Sequence, residues 1–346
     1  PGVLNALISG NITESKIHIQ DMIVKSPPPE VKITRLNIKD SANSFAEIEL
    51  EVCDRGGGIS DIFLYHNENL INLDRGKGIR IIPKNKCVNK TIGLSLVDGK
   101  NYFRVSAKIK MGLEPFSKVE NLFHELKLKK KPNLHLILIA VDEYKNPALN
   151  LKYAVKDAQA IQNHFLENRG MLFEEIHSYE VYNANATREG IQKAFLSASQ
   201  KVRANDTVLI FFSGHGFTED RTYYFIQSDN PANNTKQIKT GVSQTELVKN
   251  ISLLQANKKL IVFDTCHSGG EWLVSMRGLD EMAAMNLLSR TTGVWVIAAS
   301  QENQYALESI STGHGLLTSA ILEGLEGKAK QEGKITAGSL IPWINK

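Results

Sequence analysis

Val208-Leu209-Ile210-Phe211-Phe212-Ser213-Gly214-His215-Gly216 is an apolar run that stops in a polar, glycine-flanked histidine. A second run has the same form: Leu260-Ile261-Val262-Phe263-Asp264-Thr265-Cys266-His267-Ser268-Gly269-Gly270. Runs this short and this apolar are buried strands. In open α/β sheets the working residues gather just beyond the carboxyl ends of the strands. If the two strands are neighbours, His215 and Cys266 emerge at one edge within reach of each other. A thiol beside an imidazole becomes a thiolate, the attacking species.

Outward from these runs, strands alternate with helices. Strands are expected at 134–141, 176–182, 207–213, 259–264 and 294–299, and helices at 151–167, 187–202, 243–254 and 316–325. That alternation predicts an α/β unit, a mostly parallel sheet with helices on both faces. Upstream the pattern is all-β. Ala46-Glu47-Ile48-Glu49-Leu50-Glu51-Val52 alternates with period two, as does the run from Asn101 to Ala107. Turn signals such as Arg55-Gly56-Gly57-Gly58 and Val97-Asp98-Gly99 separate the runs. About seven short strands predict a small Ig-like β-sandwich. The expected organisation is an irregular segment over 1–29, the sandwich over 30–125, a linker over 126–132 and the α/β domain over 133–346.

Bulk properties exclude several classes. In 346 residues no apolar run approaches the length that spans a membrane. The net charge of +4 is too mild to point to nucleic acid. It is divided unevenly, +6 over residues 1–131 and −2 over the remainder. A slightly acidic second domain suits a basic substrate. Three cysteines, Cys53, Cys87 and Cys266, make no disulfide framework. Cys53 and Cys87 are able to pair, but the expectation is a reduced, cytoplasmic protein.

Gly214 and Gly216 are expected to turn the chain sharply around His215, and Gly269-Gly270 to do so after the cysteine. The N–H groups of Gly216 and Cys266 are the candidates for an oxyanion hole. His267 diverges from its neighbour Cys266 and is a poor base. His314, in Gly313-His314-Gly315, precedes a helix and is expected to orient a loop or cap that helix. No Cys-X-X-Cys accompanies Cys266, so no metal site is expected. No third catalytic residue is identifiable.

Ser213-Gly214-His215-Gly216, followed after 51 residues by Asp264-Thr265-Cys266-His267-Ser268-Gly269, resembles the caspase/metacaspase family. The resemblance extends from about residue 133 to the end, and takes in Leu151 to Ala158 and Gly313 to Thr318. It is closer to metacaspases and bacterial caspase-like proteins than to animal caspases, which have Gln-Ala-Cys-Arg-Gly at the nucleophile. It implies a caspase-like fold and a cysteine endopeptidase with Cys266 as nucleophile and His215 as base. It also implies that Asp157, Ser213 and Asp264 line the pocket for the residue before the scissile bond, which would then be Arg or Lys. The acids Asp157 and Asp264 pairing with lysines such as Lys156, or with backbone N–H groups, is the competing reading.

Metacaspases often require calcium, but the acids between Phe217 and Asp229 are dispersed, so no cofactor is expected. The connection over 271–292 offers Arg277 and Arg290 for self-cleavage, unless a helix over Leu279 to Leu288 shields the site. The resemblance further implies a regulated effector with an upstream sensor domain or regulatory partner protein. The alternative from another class is a catalytically inactive caspase-like module used for assembly.

Overall fold

The computed structural model describes residues 27–40, 44–71, 86–109, 114–125, 131–231, 237, 239–266, 279–298 and 313–344. The chain divides into two compact units, Pro1–Lys129 and Lys130–Lys346.

The first unit holds two antiparallel sheets. Strands β1 (Glu30–Asp40), β2 (Phe45–Cys53) and β5 (Cys87–Ser95) pair in the order β1-β2-β5. Strands β3 (Ile59–His66), β4 (Asn69–Ile71), β6 (Gly99–Ile109) and β7 (Glu120–His124) pair in the order β4-β3-β6-β7. The period-two pattern does what it predicts: Ala46, Ile48, Leu50 and Val52 of β2 are buried, and they join Leu64, Phe103 and Val105 of the other sheet in one core. Cys53 and Cys87 are opposite each other in the β2–β5 ladder and form a disulfide. This overturns the expectation of reduced thiols. The 34-residue separation conceals a pairing that the strand register makes direct. Disulfides persist in oxidising compartments, so the cytoplasmic expectation loses its support.

The second unit is α/β. Its parallel strands β8 (Leu134–Ala140), β9 (Ile176–Tyr182), β10 (Thr207–Glu219), β13 (Lys258–Cys266) and β14 (Trp295–Ala298) lie in the order β9-β8-β10-β13-β14. Two short strands, β11 (Thr222–Phe225) and β12 (Val242–Ser243), extend it antiparallel from the far end of β10. Helices α1 (Ala154–Glu167), α5 (Leu316–Glu323) and α6 (Ala337–Ile344) contribute to one core, with Leu136, Phe211 and Val262. Helices α2 (Arg188–Ser199), α3 (Gln244–Ile251) and α4 (Leu279–Thr292) contribute to the other, with Ile137, Phe212 and Phe263. Every residue of β8 is buried, as a strand covered on both faces requires. No helix among the described residues is long and apolar enough to cross a membrane.

Two expectations need correction, and one open alternative is decided. Strand β10 does not stop at Ser213 but continues to Glu219, because its far end acquires a new partner in β11. Residues 279–292 are helix α4, which bears out the alternative of a helix over Leu279 to Leu288 against an open connection there. Helix α6, with Pro342 inside it, was not expected at all.

Strand β13 is anchored at its start by Lys259, whose ammonium donates to the carbonyls of Leu254 (3.1 Å) and Ala256 (2.8 Å). Burial without a carboxylate depresses its pKa to about 7. A lysine with a lowered folded pKa binds its proton less tightly in the fold than in the unfolded chain. Stability should therefore rise from pH 7 to pH 9, by up to about 1.4 kcal/mol per pH unit. Urea unfolding at both pH values checks this, and the rise should be missing from Lys259→Met.

Candidate active site

The site begins with the connection between β8 and α1. Asp142 caps α1 by accepting from the N–H groups of Ala154 (2.8 Å) and Val155 (3.2 Å). Asn183 accepts from Asp142 N (2.8 Å), and Asn150 accepts from Tyr144 N (2.8 Å). These polar residues fold the segment so that Tyr144 and Leu149, both buried, face β10. The Tyr144 hydroxyl accepts from the backbone N–H of His215 at 2.8 Å, and its ring lies 5.0 Å from the imidazole. The carbonyl of Leu149 is 2.8 Å from His215 Nε2. A carbonyl only accepts, so Nε2 carries the hydrogen and Nδ1 is the basic nitrogen of the neutral ring.

Strand β10 pairs with β13 over nine consecutive positions, ending with Ser213↔Asp264, Gly214↔Thr265 and His215↔Cys266. The histidine and cysteine backbones thus sit side by side on neighbouring strands, about 4.8 Å apart. Both residues lie within the strands and not in turns beyond them. The glycines serve close approach more than turning. Gly214 has φ 149°, and a Cβ there would meet the Tyr144 hydroxyl at 2.7 Å. A Cβ on Gly216 would meet the Tyr223 hydroxyl at 2.7 Å and Thr265 Oγ1 at 2.9 Å. Gly216 pairs with Phe225, while Ile226 N donates to the carbonyl of His215. In an antiparallel ladder this makes Gly216 a non-hydrogen-bonded position toward β11, so its N–H faces away from that strand. His267 and Gly269-Gly270 lie outside the described residues.

The acids meet on the α1–α5 side of the sheet. Leu209, Phe211, Leu260 and Val262 belong to that face, and the alternation carries it on to Ser213 and Asp264. Asp157, on the buried stripe of α1 with Ala154 and Ile161, accepts from His314 Nδ1 (2.8 Å) and from Gly315 N (3.1 Å to Oδ2). Asp264 Oδ2 accepts from the Thr318 hydroxyl at 2.5 Å. Burial raises the Asp264 pKa, opposed by hydrogen bonds from the Thr318 side chain and backbone. A Cβ on Gly315 would be 3.0 Å from both Asp157 Oδ2 and Asp264 Oδ2, so the two carboxylates converge on one point. Of the competing reading, the lysine part fails for Lys156, whose ammonium lies over the Tyr153 ring at 5.3 Å. The backbone part holds: Gly315 N donates to Asp157 and the Thr318 backbone to Asp264.

Sequence reasoning missed Tyr144, the Leu149 carbonyl and Thr318. The only signal for Thr318 was its place in the Gly313 to Thr318 segment. Residues 217–225 form a tight hairpin through Asp220 and Arg221, both with positive φ. No group of three or more metal-binding side chains occurs among the described residues. Arg290 stands in the last turn of α4, and Arg277 is outside the described residues.

The family model for the caspase domain matches residues 134–340. No curated protein matches the chain. Solved structures similar to it include a putative ApaA protein from Bordetella pertussis, at 11% identity over 29% of this chain and 95% of that one, with a TM-score of 0.21. A polysaccharide deacetylase from Bacillus cereus matches at 10% identity over 78% of this chain and 80% of that one, with a TM-score of 0.21. Likenesses this weak carry no argument.

Asp264 has a consequence for stability. A carboxyl with a raised folded pKa holds its proton more tightly in the fold than in the unfolded chain. Stability is therefore lost as pH rises from the ordinary carboxylate value through the raised one, and the full cost is borne above it. Asp264→Asn removes that cost and keeps an acceptor for Thr318. Its melting temperature should exceed that of the unsubstituted protein at pH 8, and the advantage should shrink toward pH 4.

Proposed function

The chain belongs to the caspase-domain family, and from that premise we propose that it is a cysteine endopeptidase cleaving proteins after Arg or Lys. The observation that carries the reading is the pairing of His215 with Cys266 at the last position of the parallel β10–β13 ladder, with His215 Nε2 held by a carbonyl. His215 Nδ1 takes the proton of the Cys266 thiol. The thiolate attacks the scissile carbonyl, and the Gly216 and Cys266 N–H groups bind the oxyanion. His215 returns the proton to the leaving amine, and water then hydrolyses the acyl-enzyme with His215 as base. The Leu149 carbonyl favours the imidazolium by accepting from Nε2–H throughout. A dyad completed by a backbone carbonyl needs no third side chain.

Specificity in this reading comes from Asp157, Ser213 and Asp264. Two acids converging on one point favour a cationic side chain and repel an acidic one. This is the metacaspase-like side of the family. The two-sheet first unit is read as the Ig-like part, and an upstream sensor domain or a regulatory partner protein is proposed to control the enzyme as an effector.

Cys266→Ala and His215→Ala should each abolish nearly all turnover without unfolding the protein, and the double variant should be little worse. Asp264→Ala should lose about a hundredfold of the preference for Arg over neutral residues, with Cys266 still alkylated by iodoacetamide. Efficient cleavage after Asp with Arg peptides ignored would overturn the acidic pocket.

Self-cleavage follows the same specificity. Helix α4 is the shielding helix of the alternative reading, and the bond after Arg290 lies in its last turn and must unwind to be cut. The self-cleavage we propose is therefore a single cut after Arg277, which lies outside the described residues. Intact mass spectrometry should show that single cut, lost in Cys266→Ala and in Arg277→Ala. One uncut chain in fully active enzyme would remove self-cleavage from the mechanism.

A further inference from the structure

Gly313-His314-Gly315 is a glycine-flanked histidine that the dyad leaves unused. We propose that His314 is the positioning residue of the acidic pocket, fixing Asp157 so that a guanidinium is preferred to an ammonium. The inference rests on the reading of Asp157 and Asp264 as the pocket for the residue before the scissile bond.

One short segment serves both acids. His314 Nδ1 and Gly315 N hydrogen-bond Asp157, and four residues further on Thr318 hydrogen-bonds Asp264. The segment leads directly into α5, with Gly315 as its N-cap. The α1 carboxylate and the β13 carboxylate are therefore set against each other by donors from a single piece of chain. Without such donors two carboxylates this close repel, and one of them takes up a proton.

The division of contacts at Asp157 is asymmetric. His314 is held by Oδ1 at 2.8 Å, and Gly315 N is nearer to Oδ2, at 3.1 Å against 3.3 Å to Oδ1. The side chain of Asp157 is only 4% exposed and that of His314 is 31% exposed, so the imidazole is the part of the pair that meets solvent. Oδ2 of Asp157 is also the oxygen that converges with Asp264 Oδ2. A carboxylate oxygen has two acceptor sites. With Oδ1 tied to the imidazole, the plane of Asp157 is fixed and Oδ2 is presented beside Asp264. A planar guanidinium has N–H groups on two edges and bonds both acids at once; an ammonium is a point charge with no such match.

The test is kcat and KM for matched peptides with Arg, Lys or an uncharged residue before the scissile bond. For His314→Ala, kcat/KM on the Arg peptide should fall about tenfold, mostly through KM, with the Lys peptide less affected. His314→Asn, whose amide N–H occupies the place of Nδ1–H, should restore most of the Arg preference. Gly315→Ala places a methyl 3.0 Å from both carboxylates at φ −62°, where the backbone accepts it, and should raise KM for Arg with Cys266 still alkylated. If unsubstituted enzyme ignores both basic peptides, the pocket reading itself fails. If it cleaves after both, but folded His314→Ala keeps the Arg KM or His314→Asn behaves like alanine, only the present inference is overturned. An unchanged Arg KM in Gly315→Ala also overturns it, whether or not His314→Ala folds.

Discussion

Parallel pairing of β10 with β13 is a ruler laid across the second unit. Residues in register on two parallel strands share a face and a height, so one shift would move Cys266 away from His215 and Asp264 away from Ser213 together. The register is held by what lies behind it: Leu209, Phe211, Leu260 and Val262 toward one set of helices, Ile210, Phe212, Ile261 and Phe263 toward the other. A slip by one residue would exchange these two sets and turn Asp264 into the opposite core. The apolar run and the reactive residues are therefore one device. The run sets the register, and the register sets the site.

The fold of this unit was legible because buried strands and amphipathic helices have opposite periods. The nine-residue pairing of β10 and β13 follows from two apolar runs of matching length, and Asp157 was placed on the buried face of α1 by its spacing from Ala154 and Ile161. The partners of His215 were not legible. Leu149 acts through a backbone carbonyl, which every residue possesses, and Tyr144 is brought to β10 by a connection whose shape depends on Asp142, Asn150 and Asn183 together. Strand ends failed for a related reason. Gly214 and Gly216 read as breakers, whereas neighbouring hydroxyls fill the space where their side chains would be. Cys53 and Cys87 were legible as a possible pair, but whether they meet depends on the register of strands far apart in sequence.

The acids show a tension that the ladder alone does not resolve. Register places Asp264 in a buried position, and desolvation drives it toward its neutral form. A neutral carboxyl would not select a cation. Thr318 opposes the burial by hydrogen bonding, and the segment that carries Thr318 also carries His314 and Gly315 to Asp157. The charge of the pocket thus depends on where the first turn of α5 sits.

That dependence links the two halves of the site through different elements. His215 and Cys266 are tied together by the sheet, whose core is closed on both faces. Asp157 and Asp264 are tied together by α5, which packs on only one of those faces, through Leu317 and Ile321. Displacing the start of α5 would remove donors from both acids and leave the β10–β13 register untouched. The setting of the two acids is then the part of the site that costs least to disturb, because it rests on a few hydrogen bonds and not on a strand ladder. The pairing of His215 with Cys266 is built into the sheet, and the setting of the two acids rests on the position of one helical turn.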